Sequence, residues 1–357
     1  MTPSHGIDFD QYKTQSKDLL KQARAGDPEA LLRLRTHHPE GELLVKMPRL
    51  QLADAQLAIA RENEFPSWAK FKEHILLENA VHALDTGDAV RLKTLLDAHP
   101  EIVKYRTQST EFGYFAQATL LHHVAGNPIR CPLPQNILNL TATILEHGAD
   151  PNALCGAPVK SNSTIGLILT GKQPSEAGVS VPLIDLLVAA GAKDAEVNDA
   201  DVLSLPLWNG GRSTAEALVR RGARLDLRHA AALGRIDVME KLLSGENISQ
   251  QLLEDSLVYA CLQNEETAAR CLIQHGARGD IYVSSPNGSA TALHEAAYRG
   301  FEPLVKLLLD NGASTTVRDK QWNGTPAGWA QHGGHTGLAE LLHEHETLQT
   351  GGKLDTF

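Results

Sequence analysis

A Gly-Ala pair recurs along the chain after short apolar stretches, and this repetition limits the possible folds more than any other feature. From Gly148 to Gly312 the chain advances 164 residues over five intervals, a mean of about 33 residues per unit. A glycine directly after an apolar helix typically adopts the left-handed conformation and ends the helix. The spacing therefore predicts an array of helical repeats. The pairs are Gly148-Ala149, Gly191-Ala192, Gly222-Ala223, Gly276-Ala277 and Gly312-Ala313, with a worn copy at Gly245.

A second signature, Thr-x-Leu-His, stands at the start of several repeats. It is clearest at Thr119–Ala125 and Thr291–Ala297, while Thr325-Pro326 keeps the opening but has Gly328 in place of His. Weaker copies are Ser163–Ile168, Leu203–Leu207, Leu227–Ala231 and Leu257–Cys261. Motif and period together resemble the ankyrin repeat. The resemblance implies an all-α solenoid of stacked helix-turn-helix units with hairpin or loop connections, in which His122 is structural.

Two N-terminal segments are near-copies of each other and extend the array. Gly26-Asp27 and Gly87-Asp88 lie 61 residues apart, and each is followed thirteen residues after its glycine by a proline. With Phe65-Pro66-Ser67-Trp68, this part resembles a helical module of bacterial ankyrin-repeat proteins. We expect an N-terminal cap of degenerate units over residues 1–77. Seven to eight repeats, with insertions near 126–136 and 170–182, are expected over 78–345, and a flexible tail over 346–357.

Composition and charge narrow the functional classes. The 357 residues carry a net charge of −10, which disfavours a nucleic-acid partner and favours a basic or mixed-charge one. The chain lacks an apolar run long enough for a membrane span, and residues 1–17 are too polar for a signal peptide. The four cysteines show neither CxxC pairing nor a disulfide framework. We expect a cytoplasmic protein with no membrane partner.

The resemblance to ankyrin repeats implies a protein-binding scaffold that holds its partner on the concave face. Aromatic residues make up only 5% of the chain, so those in loops are candidate anchors for such a partner. The alternative is that Phe112 and Phe115 fill gaps between repeats. The candidate partner-binding residues are Phe112, Tyr114, Phe115, Asn287 and Trp322.

Two insertions in neighbouring repeats favour a second hypothesis, a small-molecule or catalytic pocket. From His122 to Gly148 the chain is eight residues longer than from His294 to Gly312. The stretch from Gly166 to Gly191 is seven residues longer. Long loops in compact domains are often functional, although tolerated surface insertions are the alternative. The candidate pocket residues are His123, Arg130, Cys131, Lys172 and Trp208, where Arg130 could lower the pKa of the Cys131 thiol.

Other candidate chemical motifs lack the residue types or the spacing that their chemistry requires. Gly166 to Gln173 approaches a phosphate loop, but Gln173 replaces the required hydroxyl residue and the two glycines bracket a predicted helix. His343 and His345 are two residues apart and would not share a helical face. We expect no catalytic residue, no metal and no cofactor. The sequence leaves enzymatic activity open and favours a binding protein.

Overall fold

The computed structural model describes residues 9–44, 49–107, 113–157, 160–193, 201–245, 248–282 and 290–351. The chain forms two compact units. The first unit contains Met1–Ile168 and Pro182–Lys193, and the second contains Leu169–Val181 and Asp194–Phe357. Both consist mainly of paired helices, which confirms the all-α class.

The helices and strands up to the end of α10 range from 4 to 18 residues in length. They are α1 (Phe9–Arg24), α2 (Pro28–His37), α3 (Gly41–Leu44), α4 (Leu52–Glu62), α5 (Trp68–Asp85), α6 (Ala89–Ala98), α7 (Ile137–Glu146), β1 (Leu154–Ala157), β2 (Lys160–Ser163), α8 (Thr164–Thr170), α9 (Lys172–Glu176) and α10 (Ser180–Ala189). Single-turn 3-10 helices occupy Pro100–Lys104, Gly113–Phe115 and Leu120–Ala125.

The remaining helices continue the second unit in pairs. They are α11 (Ser204–Trp208), α12 (Arg212–Arg220), α13 (Leu227–Ala232), α14 (Ile236–Leu243), α15 (Gln250–Leu262), α16 (Glu266–Gln274), α17 (Ala292–Tyr298), α18 (Glu302–Asp310), α19 (Pro326–His332) and α20 (Thr336–Gly351).

Side-chain caps start the helices that the N-terminal near-copies predicted. Asp27 accepts a hydrogen bond from the backbone N–H of Ala30, and Asp88 accepts one from Arg91. Each satisfies an amide that the helix itself leaves unpaired. Ser67 caps α5 in the same way, and α5 then continues to Asp85. The division predicted between residues 77 and 78 therefore falls inside a helix, because nothing between Ser67 and Gly87 stops it.

The repeating glycines have the predicted conformation. Their φ angles lie between 81° and 102°, in the left-handed region, so each ends the second helix of its repeat. Gly245, the worn copy, does not share this conformation. The five glycines are Gly148, Gly191, Gly222, Gly276 and Gly312.

A β-hairpin is the main departure from helix in the first unit. Strands β1 and β2 pair antiparallel, with Leu154 opposite Ser163. The Arg106 guanidinium donates to the carbonyl oxygens of Gln117 and Leu154 at 2.7 and 2.8 Å, and so connects the preceding loop to the hairpin. A hairpin at the tip of a repeat is compatible with the predicted solenoid.

Each unit has its own apolar core. In the first unit a cluster of buried side chains from Phe9 to Ile75 joins α1 to α5. In the second unit a cluster of mostly alanine and leucine side chains from Leu227 to Leu342 runs through α13 to α20. The division into an alanine-rich first helix and a leucine-rich second helix is clearest at α17 and α18. Close packing of alanine-rich helices against leucine-rich ones is what the repeat pattern predicts.

The last helix extends into the predicted C-terminal tail. Helix α20 continues to Gly351 and so includes the first residues of the segment predicted to be a flexible tail, 346–357. Residues 338–350 contain neither glycine nor proline, so nothing stops the helix before Gly351. None of the helices in the described part of the chain is long and apolar enough to cross a membrane.

Candidate functional site

An aromatic pocket of about 560 Å³ lies in the second unit, along the first helices of its last repeats. Tyr298 comes from α17, Trp329 from α19, Trp322 from the loop before α19, and Trp208 from the end of α11. The Trp329 ring lies 5.7 Å from Trp322 and 6.0 Å from Tyr298, at interplanar angles of 60° and 78°. Because the rings meet at steep angles, they form walls of a pocket instead of a flat stack. We call this the aromatic pocket.

Asp319 holds the loop that presents Trp322. Its carboxylate accepts hydrogen bonds from the backbone N–H groups of Gln321, Trp322 and Gly324, at 2.8, 2.6 and 2.6 Å. It also accepts the indole N–H of Trp329 at 3.1 Å. Burial alone would raise the pKa of Asp319, but these four donors together hold it below its ordinary value. The loop is therefore built around an ionised aspartate, and Trp322 stays 66% exposed above it.

A buried carboxylate faces the same pocket. Glu295 on α17 lines it and is 6% exposed. The nearest charge is Arg299, whose Nε lies 3.7 Å from Glu295 Oε2, too far for a hydrogen bond. Burial raises the pKa of Glu295, and Arg299 only partly opposes that shift. His332, which stacks on Tyr298, completes the polar lining.

The motif histidines are structural, as the resemblance to ankyrin repeats implied. His122 Nδ1 accepts the backbone N–H of Thr119 at 3.1 Å, so the proton is on Nε2, which donates to the carbonyl oxygen of Ala153 at 3.0 Å. His294 makes the same contacts with Thr291 and Gly324. Burial lowers the pKa of His122 to about 4, so its ring is neutral at pH 7.

A third copy of this motif was recognised only in part in the sequence. Asp226 caps α13 by accepting the backbone N–H of His229 at 3.0 Å, and it lies 3.0 Å from His229 Nδ1. The copy was located only as Leu227–Ala231, one residue too late to include Asp226. Reading Asp-x-x-His as an equivalent of Thr-x-x-His would have found it, since both residues can cap a helix.

The other side of His229 faces a buried polar network. Its Nε2 lies 3.0 Å from Ser204 Oγ, which donates to Asp201 at 2.6 Å and accepts the Tyr259 hydroxyl at 2.6 Å. Arg228 donates to both Asp201 and Asp226. Ser204, His229 and Asp226 thus lie in the order of a hydrolase triad. The Ser204 hydroxyl already donates its proton to Asp201, and His229 is fully buried. This geometry therefore favours a structural role over nucleophilic attack by Ser204.

The same residues include a set of potential metal ligands. Ligand atoms of Asp201, Asp226 and His229 lie within 4.8 Å of one another. The Arg228 guanidinium already neutralises both carboxylates, at 2.9 and 2.6 Å. The Arg228 guanidinium is therefore the cation that balances the two carboxylates of this cluster.

Three of the predicted pocket residues lie close together in the first unit. Arg130 forms a bidentate ion pair with Asp85 at 2.7 and 3.1 Å and also donates to the carbonyl oxygen of His123. Arg130 lowers the pKa of the Cys131 thiol as expected, but burial and the Asp85 charge outweigh it, so the pKa is raised and the expected net lowering is wrong. The His123 ring is buried, and neither nitrogen has a hydrogen-bond partner among the described residues.

The two other predicted pocket residues belong to the second unit. Lys172 is exposed and pairs with Glu176 one helical turn away, at 3.5 Å. Trp208 packs edge-on against Tyr259 at 5.6 Å and lines the aromatic pocket.

The predicted partner-binding residues differ in their exposure. Trp322 is 66% exposed and Tyr114 is 39% exposed, with the Tyr114 hydroxyl donating to Asn127 at 2.9 Å. Phe115 is buried and packs edge-on against His123 at 4.9 Å, so the gap-filling alternative applies to it and its role as a surface anchor is corrected. Phe112 and Asn287 lie outside the described residues.

The match to a protein-family model agrees with the motif analysis. The family described as "Ankyrin repeats (3 copies)" matches residues 227–319. A putative E3 ubiquitin-protein ligase, XBAT34 of Arabidopsis thaliana, is 33% identical over 96 residues, which is 27% of this chain and 25% of that protein. The chain thus spans about a quarter of the length of this curated relative. The human ASB11 ankyrin repeat domain is 20% identical, with a TM-score of 0.36, over 74% of this chain and 96% of that one.

The segment that matches the ankyrin-repeat family, residues 227–319, includes helix α13 and the pocket residues Glu295, Tyr298 and Arg299. Over this segment the chain matches the ankyrin-repeat family, and the part of the chain that the structure describes is mainly α-helical. Ankyrin repeats are generally protein-protein interaction modules.

Proposed function

We propose that this protein is a cytoplasmic scaffold that binds a protein partner through the loop tips and first helices of its repeats. The observation that carries the proposal is Trp322, a large aromatic side chain that is 66% exposed on a loop held by four hydrogen bonds to Asp319. A rigid, exposed tryptophan contributes large contact area at low entropic cost, and such residues dominate binding interfaces.

Tyr114 is the corresponding candidate in the first unit. Its ring is 39% exposed, while its hydroxyl and its carbonyl oxygen are held by Asn127 and Asn162 at 2.9 Å each. These contacts fix the ring before any partner arrives. A cytoplasmic location is supported by four free thiols. The bacterial type rests on the resemblance at residues 65–68 and is part of this proposal.

The alternative of a catalytic pocket has less support. Arg130 is engaged with Asp85, Lys172 with Glu176, and the Cys131 thiol has a raised pKa. A nucleophilic cysteine needs the opposite shift. We therefore keep His123, Arg130, Cys131, Lys172 and Trp208 as a hypothesis for ligand binding and favour the protein-binding scaffold.

Site-specific photo-crosslinking tests the proposal. A photoreactive phenylalanine analogue replaces Trp322 in one variant and Tyr114 in a second. In the control it replaces Leu348, which is 74% exposed on α20. We expect cross-links from cell extract to the same protein at position 322 and at Tyr114, with loss of that partner from the Trp322→Ala variant in pull-downs. Equal labelling from positions 322 and 348 would contradict the proposal.

A further inference from the structure

We propose that the aromatic pocket of the second unit binds an alkylated ammonium group, such as the head of choline or a methylated lysine side chain. The inference goes beyond the proposed scaffold function, since it assigns the chemistry of one pocket. Its basis is the juxtaposition of four aromatic rings with the buried carboxylate of Glu295.

The aromatic walls favour a cation. Trp208, Tyr298, Trp322 and Trp329 line the pocket, and the steep angles at Trp329 let more than one ring present its face to a common centre. The face of an aromatic ring is electron-rich, and tryptophan attracts cations most strongly. A centre bounded by several such faces is the arrangement that attracts a desolvated organic cation.

Glu295 supplies the counter-charge. Its side chain is 8% exposed, and among the described residues no donor gives its carboxylate a hydrogen bond. Arg299 lies at 3.7 Å and its Nε is itself buried without an acceptor among those residues, so the two charges neutralise each other only loosely. A neutral apolar ligand would seal Glu295 further from water without compensation, and an anion would face its charge. A cation is the occupant that lowers this cost.

The supply of acceptors decides which cation fits. The Asp319 carboxylate behind Trp329 already accepts four hydrogen bonds, so Glu295 is the carboxylate left to face a ligand. An unmodified ammonium group has three donors to satisfy and a guanidinium has five. An alkylated ammonium group has one donor or none, and its methyl groups pack against the rings. The pocket volume of about 560 Å³ accommodates such a head with its linker.

Choline titration of the full chain, followed by tryptophan fluorescence and calorimetry, tests the inference. The uncharged tert-butyl isostere of choline is the matched ligand control, because it has the same shape without the charge. We expect choline to bind about tenfold more tightly than the isostere, the difference that about 1.4 kcal/mol of cation attraction produces. Equal binding of the two ligands would overturn the inference.

Two variants, one that removes a negative charge and one that removes a positive charge, make the test more specific. Glu295→Gln is expected to weaken choline binding about tenfold, and Arg299→Gln is expected to strengthen it, measured at about pH 8 to keep Glu295 ionised. An anion site would show the reverse order, which would refute the proposal. Trp322→Ala, at an exposed position that folding tolerates, is expected to weaken binding several-fold, and Leu348→Ala is the unaffected control.

Peptides distinguish the two sources of the group. We compare a peptide carrying trimethyl-lysine with the same peptide carrying lysine, and with choline alone. Tighter binding of the trimethylated peptide than of choline indicates a protein side chain, whereas tighter binding of choline indicates a small molecule. Failure of both, alongside capture of a partner through Trp322, would overturn this inference and leave the scaffold function intact.

Discussion

The carboxylate of Asp226 caps helix α13 by accepting the backbone N–H of His229 at 3.0 Å, the role for which other repeats use threonine. Thr119 and Thr291 stand in the same relation to His122 and His294. An aspartate is thus compatible with the repeat because the motif requires an oxygen acceptor at the cap, and both side chains provide one.

Substituting Asp226 tests this equivalence. Asp226→Thr keeps an oxygen near the His229 amide, and we expect its free energy of unfolding to stay within about 1 kcal/mol of the parent. Asp226→Ala leaves that amide unpaired and weakens the hold on Arg228, so it should cost about 2 kcal/mol. Urea unfolding followed by circular dichroism measures both. Equal losses in the two variants would show that the cap is unimportant.

The buried hydroxyl of Tyr259 gives a second prediction. It donates to Ser204 Oγ at 2.6 Å in the network that surrounds His229. Tyr259→Phe removes that donor at nearly constant volume, and we expect a loss of about 1 kcal/mol in the free energy of unfolding. Tyr298, which is 41% exposed, supplies the control, and Tyr298→Phe should have no measurable effect on unfolding. A Tyr259→Phe variant as stable as the parent would mean that Asp201 and His229 are sufficient hydrogen-bond partners for Ser204.

Stability should fall in mild acid because of His122. Burial lowers the pKa of this histidine from 6.5 to about 4, so between these values the unfolded state binds a proton that the folded state does not. The contribution of the neutral His122 ring to stability is therefore fully present above pH 6.5 and is lost as the pH falls towards 4. At this site the loss should approach about 3 kcal/mol.

Thermal unfolding between pH 7.5 and pH 4.5 follows this loss. His122→Gln is expected to be less stable at neutral pH but to show a flatter pH profile. Replacing the exposed His343 by Gln is the control and should leave the profile of the parent unchanged. A His122→Gln profile parallel to that of the parent would assign the acid lability to other groups.

The parts of the fold that sequence predicted are those set by local chemistry. The glycines from Gly148 to Gly312 and the Thr119 and Thr291 motifs act within one helix or one turn, so their spacing was sufficient to reveal the repeats. The resemblance implied hairpin or loop connections, but it did not place the β1–β2 hairpin or its contact with Arg106, which lies 48 residues before Leu154.

The residues of the aromatic pocket could not be grouped from the sequence for the same reason. Trp208 and Trp322 were both candidates, but for different hypotheses, because 114 residues separate them in the sequence and only stacking of repeats brings them to one pocket. Glu295 was overlooked because it directly follows the Thr-x-Leu-His signature, where the neighbouring residues are structural. Its burial beside Trp329 follows from packing between repeats, which the repeat pattern alone does not specify.

Asp319 is the residue on which the geometry of this pocket depends most. Asp319→Asn replaces one oxygen by an NH2 group that faces backbone N–H donors, so we expect a loss of about 2 kcal/mol in stability and a weaker hold on Trp322. Asp310→Asn, at an exposed position on α18, is the matched control and should be neutral.

Acid titration separates the charge of Asp319 from its shape. Its pKa lies below the ordinary value of 3.8, so its contribution to stability is present above that pH and is lost as the pH falls through the lower folded-state pKa. The gap in urea midpoint between parent and Asp319→Asn should therefore be wide at about pH 5 and should narrow only as the pH falls below 3.8. A gap that does not change with pH would indicate that the loop needs the shape of the side chain and not its charge.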